Sequence, residues 1–455
     1  MTLPFATLEE ALQRVVIPLK SGNSLAGAVR ASHLLNFYDR SNRRGVIPLG
    51  DDLIDVRRSS SAEPLLTLLP EEFETDGRVF KPKQYHHDGR LVRFFSDHLG
   101  GELEGKTVYF VATPSTNAYW EPDQMVFRMQ LAIRTAKRMG AEKAFAVFSE
   151  FPFARQDRGE SEYSRGSTLE EIAKDRKKHG GQTDGVSFVL TGLMVNGCDG
   201  VVDLHHHSGH VELAAADCLK QLGMAERRFV YDIRPTYLIA RYLETSDLLP
   251  EELKANYGEG IVFISPDQGA LSFLREVREA SGLVNSGLAW MKKTRLRPND
   301  PTAIGPTELI PVDGSNGNYA GKVGITMDDI IDTFGTMKNA LEHVSEEIPR
   351  FIVYSTHGIF AGDAEQHMRR YDRITDVLLL DTRPSRLRAL GADAKRKVTI
   401  LKPGHMLAYV LAQCVEKGID PNQHLAELFK QNPAFFDELY KTKQFDQHYS
   451  KEKYV

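Results

Sequence analysis

Lys322-Val-Gly-Ile-Thr-Met-Asp328-Asp329-Ile-Ile-Asp332-Thr333-Phe334-Gly335-Thr336 is the stretch that decides the fold. Val323, Ile325 and Met327 alternate with smaller or polar residues, the pattern of a half-buried strand. Asp332, Thr333, Gly335 and Thr336 are turn and N-cap types, and residues 337–344 have helical spacing. The order is therefore strand, acid pair, tight turn, helix. Backbone N–H groups at such a helix start bind anions, so the turn suits a phosphate. No lysine closes it, which separates it from the Gly-x-x-x-x-Gly-Lys loop of nucleoside triphosphatases. Two adjacent carboxylates at a strand end suit diol hydroxyls, a metal ion, or both. Phosphate and diol side by side point to a sugar phosphate. The same pattern also describes a well-capped βα junction whose acids are merely solvated.

The βα pattern recurs on both sides of this stretch. Residues 107–112 read as a buried strand, 124–139 as a helix stopped by Gly140, and 144–148 as the next strand. Further strands are expected at the start of 200–210, at 260–264, 350–355, 376–382 and 397–401, with a helix over 405–418. Strands alternating with helices, and polar motifs at the strand exits, predict an α/β protein with mostly parallel sheets. Two such halves are expected, 79–235 and 236–420. Residues 1–78 read as an N-terminal extension for packing or oligomerisation, with helical spacing over 8–19 and 24–38 and a loop at 57–64. Residues 159–185 read as a charged insertion, either a solvated loop or a lid. Residues 290–322 read as a long functional loop, and 421–455 as a C-terminal tail.

Composition narrows the function. The chain has 455 residues, 41% of them hydrophobic and 26% charged, as in an ordinary globular protein. A net charge of −5 gives no basic field for nucleic acid. The three cysteines form neither a disulfide framework nor a Cys-x-x-Cys knuckle, which fits a reducing, cytoplasmic setting. Apolar runs are too short for a membrane span, and the N-terminus, with Glu9 and Glu10, does not read as a signal peptide.

Five strand exits carry chemistry. Arg155, Gln156 and Arg158 offer forked donors for a polyphosphate. Asp203, His205 and Asp267 are ligands suited to a Mg²⁺ ion that also touches phosphate. Lys293, Arg295 and Arg297 could close over a transferring group. Asp328, Asp329, Asp332, Thr333 and Thr336 suit a sugar phosphate, and His357 follows one strand on. The run His205, His206, His207 and His210 has three readings: zinc binding, solvated imidazoles, or a Mg-nucleotide role for His205.

Phe153-Ala-Arg-Gln-Asp-Arg158, Asp203-Leu-His205, Ser265-Pro-Asp267-x-Gly269, Lys293-x-Arg295, the acid-acid-turn stretch and Thr356-His-Gly-Ile-Phe-x-Gly362 occur in that order. In this the chain resembles the ribose-phosphate pyrophosphokinases, the phosphoribosyl diphosphate (PRPP) synthetases, over roughly residues 79–415. The resemblance implies two phosphoribosyltransferase-like domains and an enzyme that passes the β,γ-diphosphoryl group of ATP to the C1 hydroxyl of ribose 5-phosphate. It implies an ATP site with Arg155, Gln156, Asp157, Arg158 and Asp88, and a Mg²⁺ pair of His205 and Asp267. It implies catalysis by Lys293, Arg295 and His205. It places ribose 5-phosphate on Asp328, Asp329, Asp332, Thr333, Phe334, Gly335 and Thr336, and it implies a homo-oligomer.

The chain also departs from that family. His86-His87-Asp88-Gly89-Arg90 stands where a Phe-Ser-Asp-Gly-Glu-like adenine turn is usual, and Phe334 stands where a small residue is usual. These departures keep alternatives in view: a larger acceptor such as ADP-ribose, a phosphoribosyltransferase, or a catalytically silent homologue.

Overall fold

The computed structural model describes residues 14–18, 54–58, 64–68, 73–75, 78–80, 103, 105–113, 122–155, 168–170, 173–174, 177, 184–207, 209–295, 304–313, 315–334, 348–383 and 390–440. They divide into two compact units: residues 1–233 with 404–424, and residues 234–403 with 425–455.

The first unit opens with strand β1 (Arg14–Pro18) and two short antiparallel pairs, β2 (Ile54–Arg58) with β3 (Pro64–Leu68) and β4 (Phe73–Thr75) with β5 (Arg78–Phe80). Its main sheet adds β6 (Thr107–Ala112), β7 (Lys143–Phe148), β8 (Gly200–Leu204) and β9 (Val230–Ile233). The sheet order is β1-β6-β7-β8-β9, and every pair is parallel. Parallel strands carry helices on their faces, so they bury both sides; Val108 to Ala112 are all 0% exposed. Helix α1 (Pro122–Arg138) presents Met125, Val126, Met129, Ala132, Ile133 and Ala136 to this core. That spacing is one helical face. Asp123 in its first turn and Lys137 and Arg138 in its last complement the helix dipole. Helices α2 (Gly185–Val195) and α3 (His210–Gln221) follow β7 and β8.

The expected N-terminal extension is thus corrected at one point. Residues 14–18 form the edge strand of the main sheet and are not helical, because Val15-Val16-Ile17 are β-branched and find a parallel partner in β6. The helix expected over 24–38 lies outside the described residues. Within the 159–185 insertion the backbone is helical at 169–170, 173–174 and 177; its remaining loop or lid reading falls outside the described residues apart from Thr168, Asp184 and Gly185.

The second unit is built on a seven-stranded sheet. Its strands are β10 (Ile261–Ser265), β11 (Gly287–Arg295), β12 (Ile304–Pro311), β13 (Val323–Ile331), β14 (Arg350–Gly358), β15 (Ile374–Leu380) and β16 (Val398–Leu401). The order is β12-β11-β10-β13-β14-β15-β16, with only β11–β12 antiparallel. Helices α4 (Thr236–Thr245), α5 (Leu271–Ala280), α6 (Ala364–Arg370) and α7 (Ala392–Lys397) belong to it. The sequence reading of 290–322 as one long loop is corrected in part: residues 290–295 and 304–311 are strand in the β11–β12 ribbon. Leu288-Ala-Trp-Met291 and Leu309-Ile310 are short apolar runs that the surrounding Gly, Pro and Asn residues obscure.

Two corrections concern β13 itself. It is the sheet's central strand and is buried on both faces, Val323 to Met327, not half-buried. Gly324 is small because a Cβ there would stand 2.5 Å from the Phe351 ring on β14. The strand also runs on through the acid pair to Ile331, so Asp328 and Asp329 are part of the ladder and not past its end.

The chain then returns to the first unit. Helix α8 (Gly404–Gln413) and a 3₁₀ turn at Val415–Lys417, ended by Gly418 at φ +70°, replace the single helix expected over 405–418. This segment packs on the first sheet, so 404–420 does not belong with the second half, nor 421–424 with the tail, as the sequence reading placed them. The buried Tyr109 hydroxyl donates to Glu416 Oε1 at 2.5 Å, and Lys143 Nζ donates to the Glu416 carbonyl at 3.1 Å. Asn422 Nδ2 donates to the Asp232 carbonyl at 3.0 Å.

Candidate functional site

Four non-glycine residues with left-handed backbone stand just after four parallel strands: Phe153 (φ +63°), His205 (+54°), Phe334 (+66°) and Phe360 (+49°). Such residues are costly and persist where surrounding structure over-determines them, commonly at binding sites. The strand exits are therefore the places to build a site, and each unit has its own.

In the first unit, β7 leads into a turn that ends at exposed Arg155. Gln156, Asp157, Arg158 and Asp88 lie outside the described residues. β8 leads into the histidine run. His205 is 9% exposed, and its N–H donates to the Ile233 carbonyl at 3.1 Å, which ties the exit of β8 to β9. The side chain of His206 turns inward. Its Nδ1 lies 3.7 Å from Asp203 Oδ2 and 3.8 Å from Asp232 Oδ1, and its backbone N–H donates to Asp232 Oδ1 at 3.2 Å. Burial works against charge on this imidazole, but Asp232 and then Asp203 outweigh it and hold the His206 pKa up at about 10. The zinc reading of the histidine run had included His206, beside His210, and Asp203 was singled out with His205, but Asp232 was missed, because a lone Asp in a strand such as Val230–Ile233 carries no local signal.

In the second unit, β10 leads into Ser265-Pro266-Asp267. The Ser265 hydroxyl donates to the Asp267 carbonyl at 2.6 Å, and exposed Asp267 accepts the Ala270 N–H at 3.1 Å, at the start of α5. Lys293 and Arg295 lie on β11, where Lys293 pairs with Thr307 and Arg295 with Ile304 across a register shift. They are strand residues, which corrects the flexible-loop reading of this segment.

The β13 exit is the most built of these places. Asp328 and Asp329 are half-buried, and the Asp329 amide donates to Asp328 Oδ1 at 3.0 Å. Burial, then Asp329, with Asp267 adding to them, pushes the Asp328 carboxyl well above the usual carboxylate range. Three acids crowd one edge of the sheet, an arrangement relieved by a proton, by hydroxyl donors or by a divalent cation. Beyond Ile331 the chain bends through Asp332 and Thr333 to Phe334. That bend is held from β14: the N–H groups of Ile359 and Ala361 donate to the carbonyls of Ile331 and Asp332 at 2.8 and 2.9 Å. Ser355 Oγ donates to the Asp329 carbonyl at 3.1 Å, and His357 Nδ1 sits 3.1 Å from Thr382 Oγ1, fully buried. Phe334 is 2% exposed and lies in the apolar cluster with Ile331, Ile348 and Phe360. Its ring is core, which corrects its placement beside the sugar; only its backbone could face a ligand. Gly335 and Thr336 lie outside the described residues.

No protein-family model matches the chain. A crystal structure of phosphoribosylpyrophosphate synthetase from Mycobacterium smegmatis superposes with a TM-score of 0.54, covering 89% of this chain and 99% of that one at 18% identity. The parallel sheets and this likeness define a phosphoribosyltransferase-like α/β fold. Among sequence relatives, the ribose-phosphate pyrophosphokinase of Mycobacterium tuberculosis is 23% identical over 303 residues, 66% of this chain and 74% of that one. That of Agrobacterium fabrum is 26% identical over 281 residues, 60% and 73% of the respective chains. Over about two thirds of its length the chain is thus similar to ribose-phosphate pyrophosphokinases, at about a quarter identity.

Proposed function

We propose that the protein transfers the β,γ-diphosphoryl group of ATP to the C1 hydroxyl of ribose 5-phosphate, giving PRPP and AMP. The observation that carries this reading is the β13 exit. Asp328 and Asp329 present paired carboxylates to a vicinal diol, and the bend after Ile331 turns backbone toward a phosphate. Fixing the sugar there directs its C1 hydroxyl toward an incoming phosphorus, and such positioning lowers the barrier.

Mg²⁺ fits this reading. Asp267, Asp328 and Asp329 offer carboxylate oxygens at neighbouring strand exits, the donor type that Mg²⁺ prefers, and burial together with the other two acids raises the Asp328 carboxyl. When bound, the ion neutralises charge on the phosphoryl oxygens. His205 is the partner ligand that the family likeness implies. Lys293 and Arg295 supply cationic charge to the transferring group, and Arg155 to Arg158 with Asp88 hold the nucleotide. Among the described residues no helix is long and apolar enough to cross a membrane. The proposal includes a homo-oligomer, as the family likeness implies.

Because the Phe334 ring is buried, one of the reasons for expecting a larger acceptor loses its weight, and ribose 5-phosphate is the first candidate. The test is to incubate the protein with Mg-ATP and a panel of ribose 5-phosphate esters and measure AMP. AMP with ribose 5-phosphate is expected. AMP only with ADP-ribose or another ester would change the acceptor, and no AMP with any of them would sink the proposal.

A further inference from the structure

Asp203 and Asp232 are register partners on adjacent parallel strands, β8 and β9. Directly paired residues share a face at a strand spacing of about 4.8 Å, so their carboxylates stand side by side. Like charges placed so are mutually destabilising, and burial multiplies the cost. Asp203 is 0% exposed, and neither of its carboxylate oxygens accepts a hydrogen bond among the described residues. His206 Nδ1 is buried in the same state. The ligand atoms of Asp203, His206 and Asp232 all lie within 4.8 Å of one another.

We propose that Asp203, His206 and Asp232 form a binding site for a transition-metal dication, of the Zn²⁺ or Mn²⁺ class. One imidazole nitrogen with two carboxylates is a donor set that such ions favour, whereas Mg²⁺ prefers a shell dominated by oxygen. Tetrahedral ligands at about 2.0–2.1 Å from a metal stand roughly 3.3 Å apart. The observed 3.7 and 3.8 Å from His206 to the two acids are within a few tenths of an ångström of that spacing, and all three ligand atoms already lie within 4.8 Å of one another. The framework is already fixed: two strands set the acids, and the His206 N–H bond to Asp232 sets the third ligand. Side chains on a rigid sheet hold metal-ligand geometry better than loops do. The site lies wholly within the first unit and uses neither His205 nor Asp267; of the residues read from the sequence as Mg²⁺ ligands it takes only Asp203, whose buried carboxylate faces His206. It also stands whether or not the proposed reaction is correct.

The test is metal binding by the full-length, chelator-stripped protein. Zn²⁺ titrated by calorimetry, and Co²⁺ followed by visible absorption, should each show one site lost on His206→Asn and on Asp232→Asn, with affinity falling at least tenfold. The same site should survive His205→Asn and Asp267→Asn. Folding is controlled by His206→Cys, which restores a metal ligand: Zn²⁺ binding should return, and the Co²⁺ spectrum should gain a thiolate charge-transfer band. Absence of a Zn²⁺ site in the wild type, retention of it in His206→Asn, or its loss in His205→Asn would each overturn the assignment. Failure of His206→Cys to bind while remaining folded by circular dichroism would do the same.

Discussion

The Asp328 carboxylate accepts the backbone N–H of Asp329 at 3.0 Å, so the first acid of the pair is bent over the peptide of the second. The contact holds two like charges together inside the central strand of a sheet. Burial, then the Asp329 carboxylate, push the Asp328 carboxyl well above its usual range, although the backbone hydrogen bond itself works the other way. The unfolded chain loses that proton at the ordinary carboxylate value and the folded chain only at higher pH. Between those two values the unfolded state binds fewer protons, so stability falls as pH rises through that window. Asp328→Asn should abolish this fall and raise stability at neutral pH by on the order of 1 kcal/mol, as substitutions that relieve a strained site commonly do. Activity should drop at least tenfold. Urea denaturation of both proteins at several pH values, beside an AMP-release assay, reads both effects.

Lys293 carries a different expectation. If its charge acts on the transferring phosphoryl group, its contribution appears mainly in the transition state. Lys293→Ala should then lower kcat by about 10²–10³, the scale seen when one stabilising donor is removed, and leave ATP affinity little changed. Equal turnover in the variant would remove β11 from the chemistry.

Phe334 combines a left-handed backbone with a buried ring. A non-glycine residue in that conformation costs roughly 1–2 kcal/mol, while truncating a buried Phe to Ala costs about 3–5 kcal/mol. Phe334→Ala should therefore be more destabilising than Phe334→Gly, the reverse of the usual order. Chemical denaturation of the two variants gives the comparison. A smaller loss for Ala than for Gly would mean that the ring, not the backbone, sets the turn.

Tyr109 joins the first sheet to the returning segment. Its hydroxyl is buried and donates to Glu416. Tyr109→Phe keeps the ring packing but removes a hydrogen bond to a carboxylate, worth about 1.5–3 kcal/mol. A loss of that size in urea, without a change in metal or nucleotide affinity, is expected.

How much of this was legible beforehand depends on the range of the interactions. Residues 107–112 and 144–148 read correctly as buried strands because five or six apolar residues in a row are a local signal. Residues 14–18 did not, since Val15-Val16-Ile17 becomes a sheet edge only when β6, ninety residues on, offers its unpaired side. The β11–β12 ribbon was hidden in the same way: its strands are specified by each other across a polar segment.

The sequence alone determined the class. Alternating strand and helix patterns, and polar groups at the strand exits, are set by local periodicity and require no knowledge of distant contacts. So did the acid-acid-turn stretch, whose residue types are those a βα exit needs. Only the tertiary structure decided which way side chains face at those exits. It carried β13 on through Asp328 and Asp329, because β14 supplies the ladder partners Ser355 and His357. It put the Phe334 ring into the core, because a positive φ there points the side chain at Ile331 and Phe360. It set Asp203 beside Asp232, because strands β8 and β9 are adjacent in the sheet although 29 residues separate the pair in the chain. Register between distant strands is a property of the folded sheet, and no local pattern encodes it.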